Sequence, residues 1–296
     1  MKQLHLAIGS TTSKPGAVTD NLRQIADFAA QAGRDCVDLL LTPELSASGY
    51  GPYPEVLATA ETAGNGPIYR ELARLAQQHR VSIAAGFVEA SAAQRYLAHY
   101  VVHPDGTYII QRKNRVMLTE RPLDPAGELI PPGVETNDPD PANPGQPRAP
   151  QLTVFTLKGV RCVIAICADS GITNLDALLN QLAVELLLVP TGAGGQRRDR
   201  VDTAEMLTVA GREKYFTWIE RCFFPGRSII TCLENRRAMA AVNLCGYDGK
   251  ALWHIGHGMI VTAMGEVPAL IHGLPNIDRQ RPLYAHAVID CTEHLP

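Results

Sequence analysis

Apolar and polar positions come in alternating blocks along the first third of the chain. "LHLAIGS" (4–10) is a short apolar run that predicts a strand. "DNLRQIADFAAQAGRD" follows with Leu22, Ile25, Ala29 and Ala32 at helical spacing, and Asp20 is placed to cap it. "VDLLLTPEL" predicts a buried strand ending near Pro43. Ile68, Leu72, Leu75 and Ala76 line one side of a second helix in "GPIYRELARLAQQHR". "VSIAAGFVEA" is the next strand, and "YLAHYVVHPDGTYIIQRK" reads as two extended arms around a "PDG" turn.

The periodicity lapses over 122–150, where Pro and Gly are dense, and predicts a long loop. It resumes with "LTVFTL" and "VRCVIAIC", a second hairpin, then a helix near 173–183 and the strand "VELLLVP". Residues 202–237 predict helix around Trp218 and Ile219, broken at "FFPG" (223–226). The remainder is rich in strand patterns: "AMAAVNLCG", "GHGMIVTAMGEV" and "YAHAVID". Hairpins and strand–helix–strand units in one chain imply an α/β fold. Two mixed sheets face each other with helices outside, in a single domain over 1–296. No internal repeat or low-complexity tract interrupts this.

Composition narrows the function classes. The 296 residues are 46% hydrophobic and 19% charged, enough to bury a substantial core. The net charge of −3 offers no field for nucleic acid or an anionic membrane. The seven cysteines include no C-x-x-C pair, and several lie in apolar runs, as expected of a reduced, cytoplasmic protein. "MKQLHLAIGS" lacks a signal-peptide core, and the longest apolar run, "LAVELLLVP", is broken by Glu185 and Pro190.

Three predicted strands end in a reactive group: Glu44 in "LLLTPELSASGY", Lys113 in "YIIQRKNRVMLTER", and Cys167 in "VIAICADSG". Strand ends at one edge of a sheet converge in space even when far apart in sequence. The three residue types suit acyl transfer. A thiol is mostly protonated at neutral pH and needs a base. A partly desolvated carboxylate can take that proton. An ammonium and the backbone N–H of Ala168 can stabilise the developing oxyanion.

With these motifs the chain resembles the nitrilase, or carbon–nitrogen hydrolase, superfamily. "PELSASGY" (43–50) is similar to the family's Pro-Glu motif leading to Gly-Tyr, and Arg112–Lys113 to its Arg-Lys. "ICAD" matches the strand-end Cys with an acid two positions on, and "ENRRAMAAVNLCG" (234–246) the later Glu-Asn segment. The similarity runs from about residue 5 to 270 in the family's order. It implies an αββα sandwich, a Glu44–Lys113–Cys167 triad, and Glu120 orienting Lys113. It also implies homodimers or higher homo-oligomers, and an amide, nitrile or carbamoyl substrate hydrolysed without metal or cofactor. Ala168, Tyr50, Asp169 and Thr191 are candidate oxyanion or substrate contacts. Ala168 stands where the family usually has an aromatic residue, and "SGITN" replaces the usual Arg-Phe-Pro-Glu. Asp169 favours the amidase-like branches over true nitrilases. The 122–150 and 192–226 stretches look like insertions that wall the pocket.

Blander readings stand beside these. Cys167 alone is a buried thiol, Glu44 a helix-start cap, Lys113 part of a solvated charge run, and Asp169 an acceptor for backbone N–H groups at its turn. The altered surround of Cys167 also fits a non-catalytic member that binds a metabolite or partner protein. A Cys–His hydrolase using His99, His103 or His257 ranks below, since no motif pairs a histidine with Cys167. "HIGHG" (254–258) has two histidines but no neighbouring third ligand, so no metal site is expected. "GAGGQRR" (192–198) reads as a pocket-side loop, with Arg197 or Arg198 available to an acidic substrate.

Overall fold

The computed structural model describes residues 2–92, 94–117, 120–121, 150–196, 200–223, 225–273 and 281–291. The chain opens with β1 (Gln3–Ser10), α1 (Val18–Arg34), β2 (Leu39–Leu41), α2 (Pro54–Leu57) and α3 (Pro67–His79). Next come β3 (Ser82–Ser91), β4 (Gln94–Val102), β5 (Tyr108–Arg112), β6 (Phe155–Leu157) and β7 (Val160–Ile164). A 3-10 turn (Cys167–Gly171) leads to α4 (Leu175–Gln181), β8 (Leu186–Thr191) and β9 (Gly194–Gln196). Then follow α5 (Val209–Cys222), α6 (Pro225–Asn235), β10 (Ala238–Asn243), β11 (Cys245–Tyr247) and β12 (Leu252–Ile255). The last strands are β13 (Gly258–Val261), β14 (Ala269–Ile271) and β15 (Leu283–Asp290).

Two six-stranded sheets result, β15-β1-β2-β3-β4-β5 and β14-β13-β10-β8-β7-β6, with a small β11-β12-β9 sheet beside them. Each large sheet has a parallel centre, β1-β2-β3 and β7-β8-β10, and antiparallel flanks. Alternation along the strands builds the layers. Leu4, Leu6, Ile8, Leu39 and Leu41 of the first sheet meet Cys162, Ile164, Leu186, Leu188 and Val242 of the second in a central core. Ala7, Leu40, Ile83 and Ala85 turn the other way, onto Ile25, Ala29, Leu72 and Ala76 of α1 and α3. Val163, Leu187, Val189 and Met239 do the same toward Leu175, Leu179 and Cys232 of α4 and α6. The order is therefore helix, sheet, sheet, helix, the αββα sandwich.

Both hairpins form, β4–β5 and β6–β7. The described cysteines are free thiols. No helix of the described residues is long and apolar enough to cross a membrane. One local expectation fails: α1 starts at Val18, and its cap, Ala17, offers no side chain. Asp20 lies inside the first turn, where it pairs with Lys14 and Arg23 at 3.2 and 2.9 Å. An acid there also suits the positive end of the helix dipole.

The strand directions bring the site together. β5 is two antiparallel steps from β3, so it runs the same way as β3 and its parallel neighbour β2. The chain leaves β2 for Glu44 and β5 for Lys113 at the same edge. Gly86 of β3 supports the first exit: its carbonyl accepts from the Ala47 N–H at 2.9 Å, and its N–H donates to Ser46 Oγ at 3.1 Å. A Cβ there would stand 2.1 Å from the Leu45 nitrogen. Gly86→Ala should therefore push back the Glu44 turn and cost roughly 1–3 kcal/mol, read as a lower midpoint of urea unfolding.

Candidate active site

Ala165 and Ile166 separate Cys167 from β7, whose alignment continues through the Ala165 N–H to Leu188 carbonyl bond at 2.9 Å. It opens the 3-10 turn in the left-handed region, at φ +50°. A non-glycine residue held there stores on the order of 1–2 kcal/mol, and the surrounding bonds must over-determine it. Asp169 supplies them. Buried, its carboxylate accepts from the backbone N–H groups of Arg115 at 2.7 Å, Asn114 at 3.1 Å and Ile166 at 3.3 Å. One side chain thus ties the turn after Cys167 to the segment after Lys113. Burial raises the Asp169 carboxyl to about 6, against the pull of Lys113 and those N–H groups. The residue does not line the cavity beside Cys167. Both of its oxygens accept backbone N–H groups.

Lys113 is fixed at its own backbone by donating to the Leu97 carbonyl at 2.7 Å. Its buried ammonium donates to Glu44 Oε1 at 2.5 Å and to Glu120 Oε1. Burial works against that charge, but Glu44 and Glu120 together hold the ammonium well above the usual lysine range. The two carboxylates are not equivalent. Glu120 Oε1 also accepts from the Tyr50 hydroxyl at 2.9 Å, and its Oε2 from the Met117 N–H at 2.9 Å. Glu44 Oε2 has no hydrogen-bond partner among the described residues, and the nearby Cys167 thiol favours the ionised carboxyl. Burial, then the charge of Glu120, nevertheless raises Glu44 to about 8. For Cys167, burial and the Glu44 charge push the thiol well up, while Lys113 and the Gly192 backbone N–H pull it down.

Ligand atoms of Glu44, Glu120 and Cys167 lie within 4.8 Å of one another. In kind these are metal donors, but the Lys113 ammonium already bridges the two carboxylates, so the local cation is organic. No histidine joins the group among the described residues. His103 meets Ser82 Oγ at 3.0 Å, and His257 accepts from the Gly273 N–H at 3.1 Å. His99 is buried in β4. His254 packs edge-on against Tyr50, ring centroids 5.4 Å apart.

A family model described as carbon–nitrogen hydrolase matches residues 5–272. The chain belongs to that family. Among curated relatives, it is 28% identical over 224 residues to a glutamine-dependent NAD(+) synthetase of Xanthomonas campestris, covering 71% of this chain. It spans only 35% of that synthetase's length. It is also 28% identical to a probable nitrilase of Schizosaccharomyces pombe, covering 84% of this chain and 77% of that one. The fold is shared with an amidase of Nesterenkonia sp., at TM-score 0.68 and 19% identity, over 96% of this chain and 89% of that one. A double mutant of the strain AN1 amidase in complex with acrylamide aligns at TM-score 0.70 and 18% identity, over 99% of this chain and 93% of that one.

The carbon–nitrogen hydrolase has a cavity of about 520 Å³ beside the cluster, lined by Cys167, Ala168, Tyr50, Glu120 and Thr191. Two of the expected contacts point their hydroxyls elsewhere: Tyr50 donates to Glu120, and Thr191 to the Val242 carbonyl at 3.3 Å. The 192–226 stretch contributes Ala193, Gly194 and Phe223 to the wall. The 122–150 loop, except its last residue, and Arg197 and Arg198 lie outside the described residues. Sequence reasoning missed Met117 and Gly192. Gly192 did carry a signal, a glycine directly after a strand: a Cβ there would stand 2.2 Å from the Tyr50 ring.

Lys113→Met would leave two buried carboxylates facing each other without a cation. It should lower unfolding free energy by about 3–5 kcal/mol at pH 8, measured by urea titration. The deficit should shrink toward pH 5, as protonation removes the repulsion.

Proposed function

We propose that this carbon–nitrogen hydrolase cleaves the amide bond of a small, non-peptide molecule through a thioester on Cys167. The reading is supported above all by the asymmetry of the carboxylates. Glu120 has both oxygens engaged, whereas Glu44 Oε2 has no hydrogen-bond partner among the described residues, and a Glu44 carboxylate oxygen lies within 4.8 Å of the Cys167 sulfur. Glu44 is then the base and Glu120 the residue that orients Lys113.

In the first half-reaction Glu44 takes the thiol proton and sulfur attacks the amide carbon. The oxyanion forms beside the Lys113 ammonium and the Ala168 N–H, one such donor being worth roughly 3–4 kcal/mol. Lys113 does not act as an acid, because two carboxylates hold its proton. As the tetrahedral intermediate collapses, Glu44 returns the proton to the leaving nitrogen, and ammonia or an amine departs. Water enters, gives its proton to Glu44, and cleaves the thioester to the acid and free thiol. The fold match to an amidase solved with acrylamide and with butyramide makes short amides the first substrates to try.

Intact-mass spectrometry under turnover should find an acyl adduct that maps to Cys167, and Cys167→Ala should abolish both adduct and turnover. Full turnover by that variant would end the scheme. Matched nitrile, amide and ureido compounds, compared by product analysis, should give amide cleavage as the fastest reaction.

Glu44 also sets the pH dependence. The base works ionised, and its carboxyl is raised to about 8. Below that value kcat/KM should fall as pH falls, approaching tenfold per unit, and level off above it. A rate that is flat from pH 6 to 9 would rule out Glu44 as the base.

A further inference from the structure

The cavity's charges and the helix that roofs it point to the substrate. Three charged side chains line it: Glu120, Asp176 and Arg227. Glu120 is neutralised by Lys113. Asp176 is held by buried Arg237 at 2.9 Å. Arg227 pairs with no carboxylate among the described residues, so it carries the uncompensated charge. The floor is apolar, made by Leu187, Val189, Met239 and Ala241 on the outer face of β8 and β10.

Arg227 lies in the first turn of α6. Because α6 connects to β10 through only Arg236 and Arg237, it runs back over the sheet antiparallel to that strand. Its first turn therefore lies toward the strand-end edge, where Cys167 stands. Arg227 and Ser228 are four and three residues before Thr231, so the three share a helix face, and all three line the cavity. Meanwhile Ile230 and Leu233 of the same helix are 55% and 41% exposed. A helix packed on a sheet normally turns its apolar side inward. Arg227 is itself exposed and Ser228 and Thr231 are half-buried, so a guanidinium and two hydroxyls form the solvent-side rim of the cavity, an arrangement suited to an anion.

We propose that the cavity selects amides whose acyl chain ends in a carboxylate, that is, monoamides of dicarboxylic acids, with Arg227 meeting that carboxylate. The methylenes between amide and acid lie on the apolar floor, and Ser228 and Thr231 offer further hydroxyl donors. The proposal rests on the thiol amidase reading. It assigns Arg227 to specificity and not to bond cleavage.

The test compares kcat/KM for succinamate and glutaramate with that for the neutral amides butyramide and valeramide. The wild-type protein should prefer the acids by roughly tenfold or more, the range of a charge-assisted hydrogen bond. Arg227→Gln should remove most of that preference through KM rather than kcat. Arg227→Glu should shift it toward amides ending in an ammonium, with thermal melting of both variants confirming that they fold. Turnover of neutral amides with the same acid-to-neutral ratio in wild type and Arg227→Gln overturns this proposal and leaves the amidase reading standing. Turnover of neither amide class by the wild type overturns both.

Discussion

Lys113 carries a positive charge into a space from which water is almost excluded, and Glu44 and Glu120 answer it from two different segments. Removing an ion from water costs several kcal/mol even in a relaxed protein, so such a charge persists only where partners are held in register. One ammonium and two carboxylates leave a net negative charge, and that excess has consequences. It keeps Lys113 protonated and, second to burial itself, raises the Glu44 carboxyl and the Cys167 thiol. In the proposed reaction the thiol is neutral at rest, and its proton moves to Glu44 only as the carbon–sulfur bond forms.

The rest of the fold can be understood as what holds that charge cluster together. Strands of one direction deliver Glu44 and Lys113 to one edge of the first sheet, and β7 of the second sheet delivers Cys167 to the same place. Asp169 then stitches the sheets by accepting N–H groups from both the Lys113 and the Cys167 segments. Tyr50 and the Met117 N–H fix Glu120, leaving Glu44 as the carboxylate with an oxygen to spare. The left-handed turn at Cys167 is sustained by these bonds, and the residue lines the cavity while packing against the edge of the central core.

The candidate reactive groups lie at strand ends, and the cavity beside them is walled by other elements. The substrate-side wall comes from α4, α6 and the residues after β8, which lie over the outer face of the second sheet. Ala168 leaves space beside the nucleophile. A family that keeps its reactive groups on the sandwich and varies the roofing helices can change substrate without disturbing the buried ions.

Sequence alone determined a good deal here. Period-two and period-3.6 patterns reflect burial on one face, and they gave the two hairpins, the faces of α1 and α3, and a sandwich of mixed sheets. Residues at strand ends after apolar runs stood out because such positions seldom carry a thiol, a lysine and a glutamate by chance, and motif order tied them to the family. The chain could not announce that Asp20 lies inside α1, because a short polar side chain suits a cap and a first turn equally. Nor could it say which carboxylate keeps a free oxygen, that Asp169 ties the segment after Lys113 to the Cys167 turn, or that Arg227 lines a cavity. Those outcomes depend on which distant segments share a volume of a few ångströms, and only the packing of two sheets and their helices fixes that. Local pattern decides what a segment becomes. Tertiary contact decides what each polar atom meets, and here that difference separates a carboxylate with both oxygens bonded from one with an oxygen to spare.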